Sequence, residues 1–256
     1  MEEEYSLEYC HYLEMAYGSG MMSEGGTEAM EAMFIDHPLT AGTFALEIGY
    51  GLGAMAFYLA DRYAIHITGV EVTQTLKDEA TRRIPEHLKN QINFLTYQSP
   101  HIPIDDQTFD IIYSKGVFPH IKDRAPLLKE CFRVLKPRGF MIIDDWLSRM
   151  PDQWCPRIQD MCDREGLILY PETEHDYLNK LKQAGFSNIH FIDVNEDYAR
   201  YNWNIIDHLN QPKITEKAES QFNKHDHDMA LLGYTLIAEA IERNELLIRR
   251  VIAHHL

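Results

Sequence analysis

Ala45-Leu46-Glu47-Ile48-Gly49-Tyr50-Gly51-Leu52-Gly53 is the stretch on which the reading of this chain turns. An apolar run carrying one acid ends in three glycines at alternate positions, and Ala54 to Ala60 follows with Met55, Phe57, Tyr58 and Leu59 as its apolar residues. Glycine admits positive φ and lets a ligand approach the backbone, so this order predicts a buried strand, a tight turn and the first turn of a helix. Such a unit opens a nucleotide-binding α/β sheet. A turn that binds nothing is the bland alternative, and three glycines would then cost backbone entropy to no purpose.

Outward from this stretch, strands and helices alternate. Ile65 to Val72 reads as a second strand ending at Glu71, and Ile92 to Tyr97 as a third with Gln98-Ser99 at its edge. The nearly uninterrupted apolar run Phe109 to Ser114 is a strand covered on both faces, and Phe140 to Ile143 is a fifth, ending at Asp144, Asp145 and Trp146. Ile189 to Val194 and Leu247 to His254 complete a seven-stranded, mostly parallel sheet with helices on both faces. Helices are expected over Thr75 to Leu88, Asp123 to Leu135 (stopped by Lys136-Pro137-Arg138-Gly139) and Asp176 to Ala184. Tyr198 to Glu242 reads as mostly helical, and the polar stretch Leu147 to Tyr170 as a helical insertion. Before the first strand, Tyr5 to Tyr17 and Thr27 to Phe34 read as helices separated by Gly18, Gly20, Gly25 and Gly26, a lead long enough to cover a site. One α/β domain is expected over 1–256: a helical lid over 1–40, a cofactor-binding core over 41–146, and substrate-side insertions with the end of the sheet over 147–256.

With 256 residues and 45% hydrophobic content the chain can bury a full core. The formal charge of −16 disfavours nucleic acid and anionic membrane surfaces as partners and is compatible with a neutral or cationic small molecule. Four scattered cysteines without a CxxC pair signal neither a disulfide framework nor zinc. The acidic Met1-Glu2-Glu3-Glu4 start is unlike a signal peptide, and no apolar run reaches a membrane-spanning length, so a cytoplasmic location is expected. His225-Asp226-His227-Asp228 alternates competent metal ligands, but residues two apart diverge on a helix. A solvated helix start is the expectation there, with no metal.

The glycine loop has two ligand readings. Gly49, Gly51 and Ala54 also satisfy the dinucleotide fingerprint, with Glu71 at the distance of a ribose-binding acid. Glu47 two positions before the first glycine, together with Gly53, resembles instead motif I of class I S-adenosylmethionine-dependent methyltransferases. A longer set of stretches, Tyr17-Gly18-Ser19-Gly20-Met21-Met22-Ser23-Glu24-Gly25-Gly26, Gly69-Val70-Glu71-Val72, Phe109 to Ser114 and Leu135 to Gly139, resembles the phosphoethanolamine N-methyltransferases from Tyr5 to about Trp146. That resemblance implies a Rossmann-like sheet closed by an N-terminal helical lid, with S-adenosyl-L-methionine as cofactor. Carried over by position, cofactor contacts fall on Met22, Ser23, Glu47, Gly49, Gly51, Gly53, Glu71, Val72, Gln98, Ser99 and Lys115. At Gln98 and Glu71 the family has Asp, and both replacements keep an acceptor oxygen. The catalytic pair falls on Tyr5 and His120; an imidazole exchanges protons near neutral pH, and a tyrosine bonded to it would hold the lid shut.

The substrate side departs from the family. Gly116 stands where an aspartate faces the substrate amine, and Trp146 where a tyrosine binds phosphate, leaving Arg164 as the candidate cation between Met161 and Tyr170. Tyr12, Tyr17 and Trp146 are expected to form an aromatic wall for an apolar body or a cation, with Asp144 or Asp145 nearby. Methyl transfer to nitrogen of a small amine other than phosphoethanolamine is the expected activity. Transfer to oxygen or carbon, an NAD-dependent oxidoreductase and a non-catalytic cofactor-binding protein are the alternatives. The acceptor, the number of methyl groups transferred and the oligomeric state are not legible.

Overall fold

In a computed structural model, which describes residues 6–256, the chain begins with α1 (Leu7–Tyr17) and α2 (Gly26–Met33). The core follows as β1 (Phe44–Ile48), α3 (Ala54–Tyr63), β2 (His66–Glu71), α4 (Gln74–Arg83), β3 (Ile92–Thr96), β4 (Phe109–Lys115), α5 (Arg124–Val134) and β5 (Leu135–Ser148). Then come α6 (Pro156–Glu165), α7 (Glu174–Ala184), β6 (Ser187–Asp193), α8 (Asn195–Leu209), α9 (Pro212–Gln221), α10 (Lys224–Glu242) and β7 (Leu246–His254).

The seven strands form one sheet in the order β3-β2-β1-β4-β5-β7-β6. The first five are mutually parallel, and β7 runs antiparallel between β5 and β6. This is the expected α/β class. Strand order reverses between β1 and β4, and ligands of open α/β sheets bind beyond the carboxyl ends of strands at such a switch point.

One face of the sheet is covered by a core in which Leu127, Leu128 and Cys131 of α5 meet Tyr177 and Leu181 of α7. The other face carries Met55, Ala56 and Leu59 of α3 with Met30 and Met33 of α2. A third core joins α6, α8 and α10 to the end of β7, through Met161, Tyr198, Ile237 and Ile248 among others.

Several boundaries differ from expectation. The helix expected over Thr75 to Leu88 ends at Arg83, and a short 3-10 turn follows over Glu86–Leu88. Pro85 explains the break, since proline cannot donate to a continuing helix and restricts the residue before it. The fifth strand is far longer than Phe140 to Ile143, because β7 pairs with it from Phe140 to Ser148. The long helical stretch resolves into α8, α9 and α10. Within Leu147 to Tyr170 only α6 is helical. No helix among the described residues is long and apolar enough to cross a membrane.

Candidate active site

At the carboxyl end of β1 the backbone turns through Gly49, Gly51 and Gly53 at φ 72°, 53° and 88°. Side chains rarely adopt this region, and space is also short: a Cβ on Gly51 would lie 2.5 Å from Met22 Sδ, and one on Gly53 2.7 Å from Phe57. Met22 therefore packs on the glycine loop. Glu47, in β1, is buried and accepts a hydrogen bond from Tyr113 Oη at 3.0 Å. Burial pushes its carboxyl up to about 8 against that bond.

Glu71 ends β2 with its carboxylate turned back to the loop, accepting from Val72 N at 2.8 Å and Gly51 N at 3.4 Å. Burial raises its pKa as well, while amide bonds and the field of His120 oppose the rise. Val72, beside it, is 57% exposed, a bare apolar surface at the sheet's edge. Gln98 and Ser99 lie exposed just past β3, where Gln98 bridges to His101.

The segment between α1 and α2 crosses this edge as a strap. Lys115 Nζ donates to Ser23 Oγ at 2.8 Å and to the Glu24 carbonyl, with the Glu24 carboxylate 4.0 Å away. Burial lowers the Lys115 pKa, and Glu24 opposes the shift. The side chains of Ser23 and Lys115 thus latch the strap to β4.

α1 presents two opposite faces. Cys10 packs with Leu52 of the glycine loop and Leu76 of α4, and Leu7 joins them. Glu14 on this face pairs with Arg83 of α4 at 2.5 Å and accepts from Gly20 N at 2.6 Å. Tyr9 and Tyr12 face the other way: Tyr9 Oη donates to Glu165 at 3.3 Å, and Tyr12 Oη lies 3.2 Å from His227 Nδ1. Tyr5 lies outside the described residues.

Under this second face is a cavity of ≈ 430 Å³, within the range of small-molecule sites. Met22, Ser23, Gly116 and His120 line it on the side of the strap and β4. Tyr12, Tyr17, Trp146, Tyr234 and Phe222 supply aromatic walls, so the three aromatic residues singled out in the sequence do line one space. Tyr17 and Tyr234 meet edge to face with centroids 5.7 Å apart. Among the described residues the acids lining it are Glu8, Glu24, Glu165 and Asp226, and against them stand two histidines, His120 and His225, and one guanidinium, Arg164, which is paired with Asp160 at 2.8 Å.

Two expectations need correction. Asp144 and Asp145 do not serve the cavity, because both are consumed in buried ion pairs. Asp144 lies opposite Arg250 in the β5–β7 ladder and receives Nε and Nη2 at 2.8 Å each and Tyr198 Oη at 2.9 Å. Asp145, on the other face of the strand, takes Arg124 Nη1 at 2.9 Å. The start of α10 is also not wholly solvated: His227 is buried, while His225 and Asp226 are exposed on the cavity rim. No group of three or more metal-competent side chains occurs among the described residues.

Glu165 was missed. A signal existed in its spacing, since Ile158, Met161 and Cys162 form the buried side of α6 and Glu165 falls at the next position of that stripe. A carboxylate on an apolar stripe marks a polar group facing inward. Burial pushes it up to about 7, opposed by the Tyr9 hydrogen bond.

Comparison with known proteins gives a consistent picture. Residues 46–143 match the family described as Methyltransferase domain. Phosphoethanolamine N-methyltransferase 1 of Arabidopsis thaliana is 27% identical over 222 residues, covering 86% of this chain and 44% of that protein. The chain thus spans less than half the length of this relative. Phosphoethanolamine N-methyltransferase of Plasmodium falciparum is 25% identical over 218 residues, covering 84% of this chain and 79% of its own. Among solved structures, phosphoethanolamine N-methyltransferase 2 of Haemonchus contortus, bound to phosphomonomethylethanolamine and S-adenosylhomocysteine, superposes with a TM-score of 0.89. It is 18% identical, and the match covers 99% of this chain and 59% of that one.

Proposed function

We propose, from the match of residues 46–143 to the Methyltransferase domain family and the likeness to phosphoethanolamine N-methyltransferases, that this chain is a class I S-adenosylmethionine-dependent methyltransferase and methylates a nitrogen atom of a small amine held in the cavity beneath α1. The residues at the glycine loop fit the cofactor. Glu47 is buried and Glu71 half-buried, and desolvation raises the pKa of both carboxyl groups, which leaves a site short of positive charge. A ligand with an ammonium and a sulfonium supplies that charge, whereas the pyrophosphate of a dinucleotide would add to the deficit. The carboxylate of Glu71 would hold the ribose hydroxyls, Glu47 would face the amino-acid end, and Val72 would lie against the adenine. When bound, the cofactor supplies a methyl group on positively charged sulfur.

For the acceptor, the protein's part is alignment, exclusion of water and removal of a proton. His120, in the 3-10 turn after β4 and on the cavity wall, takes the proton from the nitrogen that is methylated. The latch from Lys115 to Ser23 and Glu24 and the packing of Leu7, Cys10 and Met22 on the loop keep the donor side dry.

The observation that carries an amine over a phosphorylated amine is the lining itself, acidic and aromatic, with its one arginine engaged by Asp160. The negative charge of a phosphate would be opposed by the carboxylates on this lining, and Arg164, the group best suited to offset them, is already paired. Incubation with labelled S-adenosylmethionine and a panel of amines, phenols and phosphoethanolamine, scored by S-adenosylhomocysteine release and by the atom labelled, tests the reading. Label on amine nitrogen is expected. Label on oxygen or carbon alone, or efficient use of phosphoethanolamine, overturns it.

A further inference from the structure

Glu165 is the last residue of α6, with its carboxylate on the cavity and over Gly233 of α10. A Cβ at Gly233 would collide with Glu165 Oε1, so the absence of a side chain there is what gives the carboxylate its place. Tyr9 Oη donates to Glu165 at 3.3 Å. No ion pair to Glu165 occurs among the described residues, and the neighbouring Arg164 turns to Asp160 instead. Tyr12 and Tyr234, which the charge of Glu165 reaches, line the same cavity with Tyr17, and burial holds all three phenols in the neutral form. A carboxylate on an aromatic-lined cavity, with no ion pair among the described residues, is suited to receive a cation.

The helix α1 says where that cation lies relative to the cofactor. Residues three, four and seven apart share one side of a helix. Leu7, Cys10 and Glu14 share the side that packs on the glycine loop and α4, while Tyr9 and Tyr12, roughly opposite, reach Glu165 and His227. A helix is about 10 Å across with its side chains. Glu165 thus stands across α1 from the donor loop, whereas the cavity is also lined by Met22, which packs on Gly51, by Ser23 and Gly116, which adjoin each other, and by His120, whose field reaches Glu71.

Resting on the reading of the site as an amine methyltransferase, we propose that the acceptor carries two basic groups joined by an apolar spacer. Glu165 holds the group that does not react, and the other is presented beside His120. The substrate class is a diamine or an amine bearing a distant guanidinium, and Glu165 is its specificity-determining residue.

Calorimetric titration of the protein saturated with S-adenosylhomocysteine, using hexamethylenediamine and hexylamine as matched probes, tests the anchor separately from turnover. The diamine is expected to bind on the order of ten- to hundredfold more tightly than the monoamine, the range of one charge-assisted contact. Glu165→Gln, which keeps shape and loses charge, is expected to bring that ratio close to one, and Tyr9→Phe to reduce it partly. Unchanged S-adenosylhomocysteine affinity in both variants shows that the fold persists. Equal binding of the two probes to the wild type, or an undiminished ratio in Glu165→Gln, overturns the proposal. Parallel turnover assays separate it from the broader reading. Monoamines methylated as well as diamines would leave N-methylation standing and remove the second cation, and Glu165-dependent diamine binding without methylation would remove N-methylation and leave the anchor.

Discussion

Glu71→Ala probes the cofactor site most directly. The carboxylate is half-buried at the end of β2, anchored by the amides of Val72 at 2.8 Å and Gly51 at 3.4 Å, so it is already oriented before a ligand arrives. Desolvation raises its pKa despite the amides of Val72, Gly51 and Thr73 and the nearby His120. Ribose hydroxyls would add the donors it lacks, at about 1.5–3 kcal/mol for hydrogen bonds to a charged group. Removal is therefore expected to raise the Kd for S-adenosylmethionine by about ten- to 150-fold, since 1.4 kcal/mol is a factor of about ten. The stability of the ligand-free protein should change less, because the loss of two amide contacts is offset by relief of a buried charge. Isothermal titration calorimetry gives the affinity, and circular dichroism the fold. Glu71→Gln, which retains one acceptor oxygen, should fall between wild type and Ala. A folded Glu71→Ala protein that binds within twofold of wild type would refute the assignment of this residue to the ribose.

His120→Ala is expected to lower turnover by ~10²–10⁴-fold with cofactor affinity nearly unchanged, read by steady-state kinetics beside calorimetry; full activity would reduce His120 to a wall residue. Glu47 gives a pH dependence: its folded pKa of about 8 lies above the ordinary 4.5, so ionising it costs stability as pH rises through that window. A bound cation favours the ionised form, so cofactor affinity should strengthen between pH 6 and pH 8 by up to about tenfold per unit with proton release, and Glu47→Gln should flatten the profile. Asp144→Ala strands buried Arg250 and should destabilise the protein by about 3–5 kcal/mol in urea denaturation without specific loss of cofactor affinity in the folded fraction; a change below about 1 kcal/mol would mean that Arg250 finds another partner.

The sequence by itself determined the elements of the sheet and the loop at its centre. Those signals are local: the apolar runs of β1 and β4 record burial on both faces, and Gly49, Gly51 and Gly53 record backbone angles that other residues rarely adopt. Pro85 could equally have been read as the end of α4, since its effect is also local. What faces the cavity was decided only by tertiary structure. Asp144 and Asp145 looked available at the end of a short strand, yet the antiparallel pairing of β7 lengthens that strand and sets Arg250 opposite Asp144, while Arg124 arrives from α5. Glu165 looked like one more acid in a polar stretch until α1 and α10 closed around it and left it Tyr9 as a partner. An acid's role depends on which cation reaches it, and the cations here come from elements 21 and 106 residues away in the chain. Such pairings are set by packing and register, which local sequence patterns do not encode.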